Sequence, residues 1–299
     1  MSDFVQTLIT ALAIGGLYAL IALGYTMVYG ILKFINFAHS DVVVLGAWLS
    51  FTFATKILPK LGIEATGADG ELRWWFGGLV LVLAMLSCAI IGFIIELSAY
   101  RPLRRASRLN VLITAIGVSL LLQNVGQLPY VFGASPQNMP ALITNAEVAR
   151  LSLGDEGHDV VIGRVDVIIF CTSAALMLLL EFLVFRTRFG TAMRAVSFST
   201  DNAALMGIPV DRVISITFVI GSSLAAAAGF LYAMKYPGLN QPAHSIWVLL
   251  GLKAFVAAVI GGIGNVRGAV LGGFVIAFVE QFGAFYISTN YRDVYVFAL

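Results

Sequence analysis

Residues 74–108 read WWFGGLVLVLAMLSCAIIGFIIELSAYRPLRRASR. From Phe76 to Ile95 no side chain is charged. Such a run is long enough to cross about 30 Å of hydrocarbon as a helix. Trp74 and Trp75 stand at one end, where an interfacial aromatic belt belongs. Arg101, Arg104, Arg105 and Arg108 crowd the other end with no acid among them. An apolar span with a basic exit reads as a membrane helix whose arginines face the cytoplasm.

The rest of the chain repeats this pattern. Of its 299 residues, 60% are hydrophobic and only 11% charged, with mean hydropathy +0.94; soluble domains carry about 25% charge. Spans are expected at about 5–29, 41–58, 74–98, 111–131, 165–185, 213–234, 246–263 and 269–288, with boundaries good to a few residues. A ninth begins near Asp293. YRDVYVFAL stops inside that span: either the sequence is cut short there, the expectation favoured because a half-span leaves backbone groups unpaired in lipid, or the protein ends on an unfinished helix. The fold class is all-α, a polytopic transmembrane helical bundle of about eight spans plus the start of a ninth, in one domain over 1–299. A β-barrel would show short alternating segments instead.

Charge orients the bundle. Arg186, Arg188, Arg194 and Arg212 make the loop 186–212 cytoplasmic. The segment 133–164, with Glu147, Asp155, Glu156 and Asp159, falls outside, as does 59–73. The N-terminus is then outside and Arg267 inside. MSDFVQTLIT has neither a basic start nor a small-residue cleavage site, so the first span is a permanent helix rather than a cleaved signal. Cys88 and Cys171 lie inside spans and imply neither a disulfide nor a metal.

The cytoplasmic stretch 186–209, RTRFGTAMRAVSFSTDNAALMGIP, is punctuated like a short helix. Ser199 or Thr200 is a good N-cap, and Asp201 suits a helix start. Ala203, Ala204, Leu205 and Met206 favour helix, Gly207 suits a left-handed stop, and Pro209 ends it. Two turns alone are marginal in water, so the helix docks on something: this chain's own helix ends, or a cytoplasmic motor. No G-x-x-x-x-G-K-[ST] loop occurs, so any ATP is hydrolysed by another chain.

Inside the membrane, Lys253 and Glu280 lie at matching distances from the turn at Gly264–Arg267, roughly 16–18 Å at 1.5 Å per residue. Two opposite charges at one depth should meet each other or water; separate polar neighbours are the alternative. Gly264, Gly268 and Gly272 recur every four residues, which permits close helix packing, a thin-walled path or a subunit seam. Ala254, Ala258 and Gly262 share that spacing. In INFAHSD, Asn36 caps the second helix while His39 bonds a carbonyl, or both line an inner gate. Glu96 and Glu181 are expected as interfacial partners of Arg101 and Arg186. His244 belongs to an outer loop. No metal-ligand set and no catalytic constellation is evident.

Three stretches carry a resemblance: GGLYALIALGYTMVYGILKFINFAHS (15–40), GTAMRAVSFSTDNAALMGIP (190–209) and GLKAFVAAVIGGIGNVRGAVLGGFVIAFVE (251–280). Their order and spacing resemble those of the permease subunits of branched-chain amino-acid ABC importers over nearly the whole chain. Ser40 replaces the family's Gly in INFAHG. The resemblance implies a multi-pass permease of a bacterial inner membrane with no cofactor of its own. Its implied partners are a second similar permease, two cytoplasmic ATPases that bind ATP and Mg, a periplasmic binding protein, membrane lipid and a small amino acid, with no nucleic acid. It also implies that Arg194, Ser199, Asp201, Asn202, Ala203, Ala204 and Gly207 belong to the ATPase contact. The match to the wider E-A-A-x-x-x-G pattern is loose, with Asn202 where Glu would stand and Gly207 one place early. An ion-gradient-driven carrier is the second function class, and would call for acidic or His relays at midplane. An intramembrane enzyme ranks last.

Overall fold

The computed structural model describes residues 2–67, 71–104, 106–144, 146–152 and 159–299. Arg105, Asp155 and Glu156 lie outside these. Among the described residues, seven helices are long and apolar enough to span a membrane: α1 Ser2–Leu32, α2 His39–Lys60, α3 Phe76–Leu103, α4 Leu109–Gly126, α5 Arg164–Arg186, α8 Val210–Lys235 and α10 Val266–Tyr286. Between α5 and α8 run the short helices α6 Arg188–Phe198 and α7 Thr200–Leu205. The span expected at 246–263 is the 16-residue α9, Ser245–Ile260. At about 1.5 Å per residue it is too short to cross alone. The expected ninth span is represented by α11, Arg292–Phe297, a short helix set against α10 and α9.

Burial sorts the helices into inner and outer sets. In α1 and α8, 78% of the most apolar window is buried, against 22% in α4 and α5. A helix that is apolar all round belongs in the middle of a bundle. Accordingly α1 packs on α10, α8, α9 and α5. The outer helices keep exposed Leu86, Ile90, Ile113, Leu120 and Leu178, suited to lipid.

The bundle has two unlike ends. One carries Arg101, Arg104, Arg186, Arg188, Arg194, Arg212 and Arg267 with α6–α7. The other carries a hairpin, β2 Glu147–Ser152 with β3 Asp159–Gly163, and a two-residue pairing of β1 Gln137–Asn138 with β4 Gly238–Leu239. These short pairings are minor additions to a fold that is the expected all-α helical bundle. Arg150 sits between Glu147 (2.9 Å) and Asp159 (3.7 Å), whose carboxylates raise its pKa, Glu147 first by hydrogen bonding. The Val161 N–H donates to Gln6 Oε1 at 3.0 Å and ties the hairpin to α1.

Two ion pairs differ from the expected ones. Glu96 is wholly buried. It accepts from Arg104 and from Ser215 Oγ at 2.6 Å, while Arg101 reaches Asp211 at 2.8 Å. The regular α-helix gives way here, with a 3-10 turn over Arg101–Leu103 before Arg104, so counting along a regular helix does not choose the partner of Glu96. The Glu96–Tyr100 turn is also a π turn. Likewise Glu181 pairs with Arg267 at 2.7 Å rather than with Arg186. Arg267, entering from α10, lies over the Phe185 ring at 4.7 Å.

Candidate functional site

Because α9 is short, the connection Tyr236–His244 enters the bundle instead of passing over it. Trp48 Nε1 donates to the Asn240 carbonyl at 3.2 Å, and Trp247 Nε1 reaches the same oxygen at 3.4 Å. Trp48 lies nine residues beyond the first residue of α2, about 14 Å along the helix. Irregular backbone at membrane depth is tolerated only when buried in protein or lining a cavity. Gly238 and Asn240 do line one, of about 440 Å³.

Four charged side chains meet at this cavity. Lys253 Nζ lies 2.9 Å from Glu280 Oε1 and 2.5 Å from Asp293 Oδ1. Arg292 Nε also donates to Glu280 Oε1, and Tyr18 OH donates to Oε2 at 2.5 Å. The Glu280 side chain is 0% exposed and that of Lys253 9%; Arg292 and Asp293 are 37% and 48% exposed. Two cations thus face two carboxylates, with the inner pair sealed and the outer pair open. The sequence reading brought Lys253 to Glu280 but missed Tyr18, Arg292 and Asp293. The signal for the last two was the Arg-Asp step at the head of an otherwise apolar run.

The glycines beside this site divide differently from expectation. Gly264 is not on the helix face; it sits in the α9–α10 turn with φ +94°, a conformation glycine alone adopts freely. Gly268 and Gly272 are in α10, and a Cβ on either would strike the backbone of Gly261 or Ala257 in α9. Their role is to let the two backbones touch.

At INFAHSD, Asn36 and His39 are both buried. The Asn36 side chain does not cap α2. Its Oδ1 accepts from Tyr100 OH at 2.5 Å, while its backbone carbonyl takes the His39 N–H at 3.1 Å. The His39 ring stands edge-on to Tyr25, centroids 4.7 Å apart, in space that a side chain at Gly24 would need. Its Nε2 has no hydrogen-bond partner among the described residues. Nearby Asp41 Oδ1 accepts from Gln123 at 2.9 Å.

The stretch 186–209 forms two capped helices. Thr187 Oγ1 accepts from the Gly190 N–H, and Ser199 Oγ from the Asn202 N–H at 3.2 Å. Gly207 closes α7 with φ +79°. Upstream of it, Arg188–Phe198 form the 11-residue α6, which carries Arg194. One side docks on the chain itself: Ala203 is buried, and Ser197 Oγ donates to the Gly30 carbonyl at 2.6 Å. Arg194 is committed there too, donating to the Val184 carbonyl and lying over Phe185. The other side is open. Asp201, Asn202 and Ala204 are exposed, and with them Phe198, Leu205 and Met206 at 91%, 85% and 84%. The sequence reading took Leu205 and Met206 only as helix formers and passed over Phe198, because it weighed caps rather than what the caps display.

The chain is similar to known proteins over its full length. Residues 7–299 match the family model described as branched-chain amino acid transport system / permease component. The high-affinity branched-chain amino acid transport system permease protein LivH of Escherichia coli is 38% identical over 296 residues, covering 99% of this chain and 91% of that protein. LivH of Salmonella typhimurium is 37% identical with the same coverage. The permease BraD of Pseudomonas aeruginosa is 38% identical over 302 residues, again covering 99% and 91%.

Proposed function

The chain belongs to the branched-chain amino acid transport permease family, and from that premise we propose that it is the translocation subunit of an ATP-driven importer of branched-chain or related amino acids. The arginine-rich end faces the cytoplasm of a bacterial inner membrane. A second permease, two ATPases carrying ATP and Mg, and an external binding protein complete the machine. ATP-driven closure of the ATPases pushes on 186–212 and switches the access of the path from one side to the other.

The observation that carries this reading is the display of Phe198, Leu205 and Met206 around a twice-capped helix that its own chain holds from behind. An exposed apolar patch rimmed by polar residues marks a protein contact, and a rigid backing lets that contact transmit a push.

The test is reconstitution in proteoliposomes with the ATPases and binding protein, together with a cysteine at Asn202. Leucine uptake should require ATP and the ATPase chains, and the cysteine should cross-link to an ATPase. Uptake by this chain alone on an ion gradient, with cross-links only within the chain, would replace the importer by a gradient-driven carrier.

A further inference from the structure

The geometry points to a subsite for a zwitterionic α-amino acid in the cavity beside Lys253, Glu280, Arg292 and Asp293, a step that rests on the amino-acid permease reading. The volume of about 440 Å³ is within the range of roughly 300–1,000 Å³ typical of small-molecule sites. Its walls differ in chemistry. Ile14, Leu17, Leu249 and Leu250 supply an apolar side, and Lys253, Arg292, Asp293 and Tyr18 supply the other, with Glu280 buried behind them.

The charges select the ligand class. Two cations and two carboxylates sum to zero, with Glu280 and Lys253 sealed behind the open Arg292 and Asp293. A ligand with net charge would leave one partner unmatched there, whereas a zwitterion preserves the balance. The layering sets the poses. Lys253 and Glu280 hold each other at 2.9 Å, with Tyr18 on the second oxygen, and form a fixed floor. Asp293 and Arg292 are the open groups. The ligand ammonium takes Asp293 from Lys253, and the ligand carboxylate takes Arg292 from Glu280. Two ion pairs break, two form, and the Lys253–Glu280 pair persists. The branched side chain then lies against Leu17 and Leu250. Because the broken pairs tie α11 to α9 and α10, occupancy also frees α11.

The experiment is direct binding of radiolabelled L-leucine to the complete transporter in lipid nanodiscs, without the external binding protein. Saturable binding is expected. Isopentylamine and 4-methylpentanoate, each keeping one charge, should compete at least tenfold more weakly than L-leucine. Asp293→Asn and Arg292→Gln should each lower affinity at least tenfold in complexes that still elute intact. Leu250→Trp, which fills the cavity without touching a charge, should abolish binding. Wild-type affinity in the assembled variants, equal competition by the singly charged analogues, or no binding by the wild type overturns the subsite. ATP-driven uptake, measured on the same preparation with the binding protein added, separates the two readings. If uptake persists, only the subsite falls; if no branched-chain amino acid is taken up, the importer reading falls.

Discussion

Tyr18 and Glu280 stand 262 positions apart in the chain, yet the tyrosine hydroxyl donates to the carboxylate at 2.5 Å in a place water does not reach. This bond joins the central helix α1 to α10 and supplies one of the three donors that make a buried carboxylate tolerable. Tyr18→Phe keeps the ring and deletes the donor. It should cost about 1.5–3 kcal/mol, the range for hydrogen bonds to charged groups, read as a lower unfolding temperature of the detergent-purified protein.

The same carboxylate shows why a simple charge exchange will fail. In Lys253→Glu with Glu280→Lys, the new lysine would face Arg292 and the new glutamate would face Asp293, like charge against like in both places. The exchange should therefore remain destabilised, by about 3–5 kcal/mol as for a broken buried pair. Recovery of wild-type thermal stability in the double variant would show that Arg292 is not a partner.

Arg104 and Arg101 provide a matched comparison. Arg104→Ala leaves Glu96 buried without its cation and should cost about 3–5 kcal/mol. Arg101→Ala removes an exposed partner of Asp211 and should cost about 0–1 kcal/mol. Parallel melting curves, monitored by size-exclusion survival after heating, distinguish them.

Gly268→Leu tests the α9–α10 contact. A side chain there meets the Gly261 backbone, which cannot rotate aside as a flexible side chain could. The variant should lose at least about 1–3 kcal/mol, the usual cost of overpacking. Leucine at Gly62, where a Cβ meets nothing within 4 Å, controls for size but carries its own left-handed strain; it should leave α9 and α10 in contact by cysteine cross-linking.

Leu205→Ser and Met206→Ser should behave in the opposite way. Both positions are exposed, so stability should move by no more than about 0.5 kcal/mol. ATP-driven uptake should fall several-fold because the motor contact is weakened. Normal uptake in the double variant would remove these residues from that contact.

Much of this was legible in the sequence because the membrane makes local pattern decisive. The run from Phe76 to Ile95 and the arginines after it needed no tertiary information. Lys253 and Glu280 could be brought together by counting from one turn, since both lie on neighbouring helices. Tyr18 could not, because nothing local ties residue 18 to residue 280. Glu96 was paired with the nearest arginine in sequence, whereas the irregular π and 3-10 turns that follow it bring Arg104 there instead. The inward path of Tyr236–His244 was hidden for another reason. The apolar run continues to Gly261 and beyond, so hydropathy overstated the length of α9 and concealed how much chain was left to enter the bundle.

Phe198, Leu205 and Met206 bear on the life of the subunit before it works. A greasy knob held out on a capped helix cannot retract, so an unpartnered copy would be prone to clump with its neighbours or to engage chaperones and proteases. On the proposed importer reading, matched copy numbers of the subunits are then a requirement written into one short loop, and overproduction of this chain by itself should yield less intact protein than co-production with the proposed ATPases.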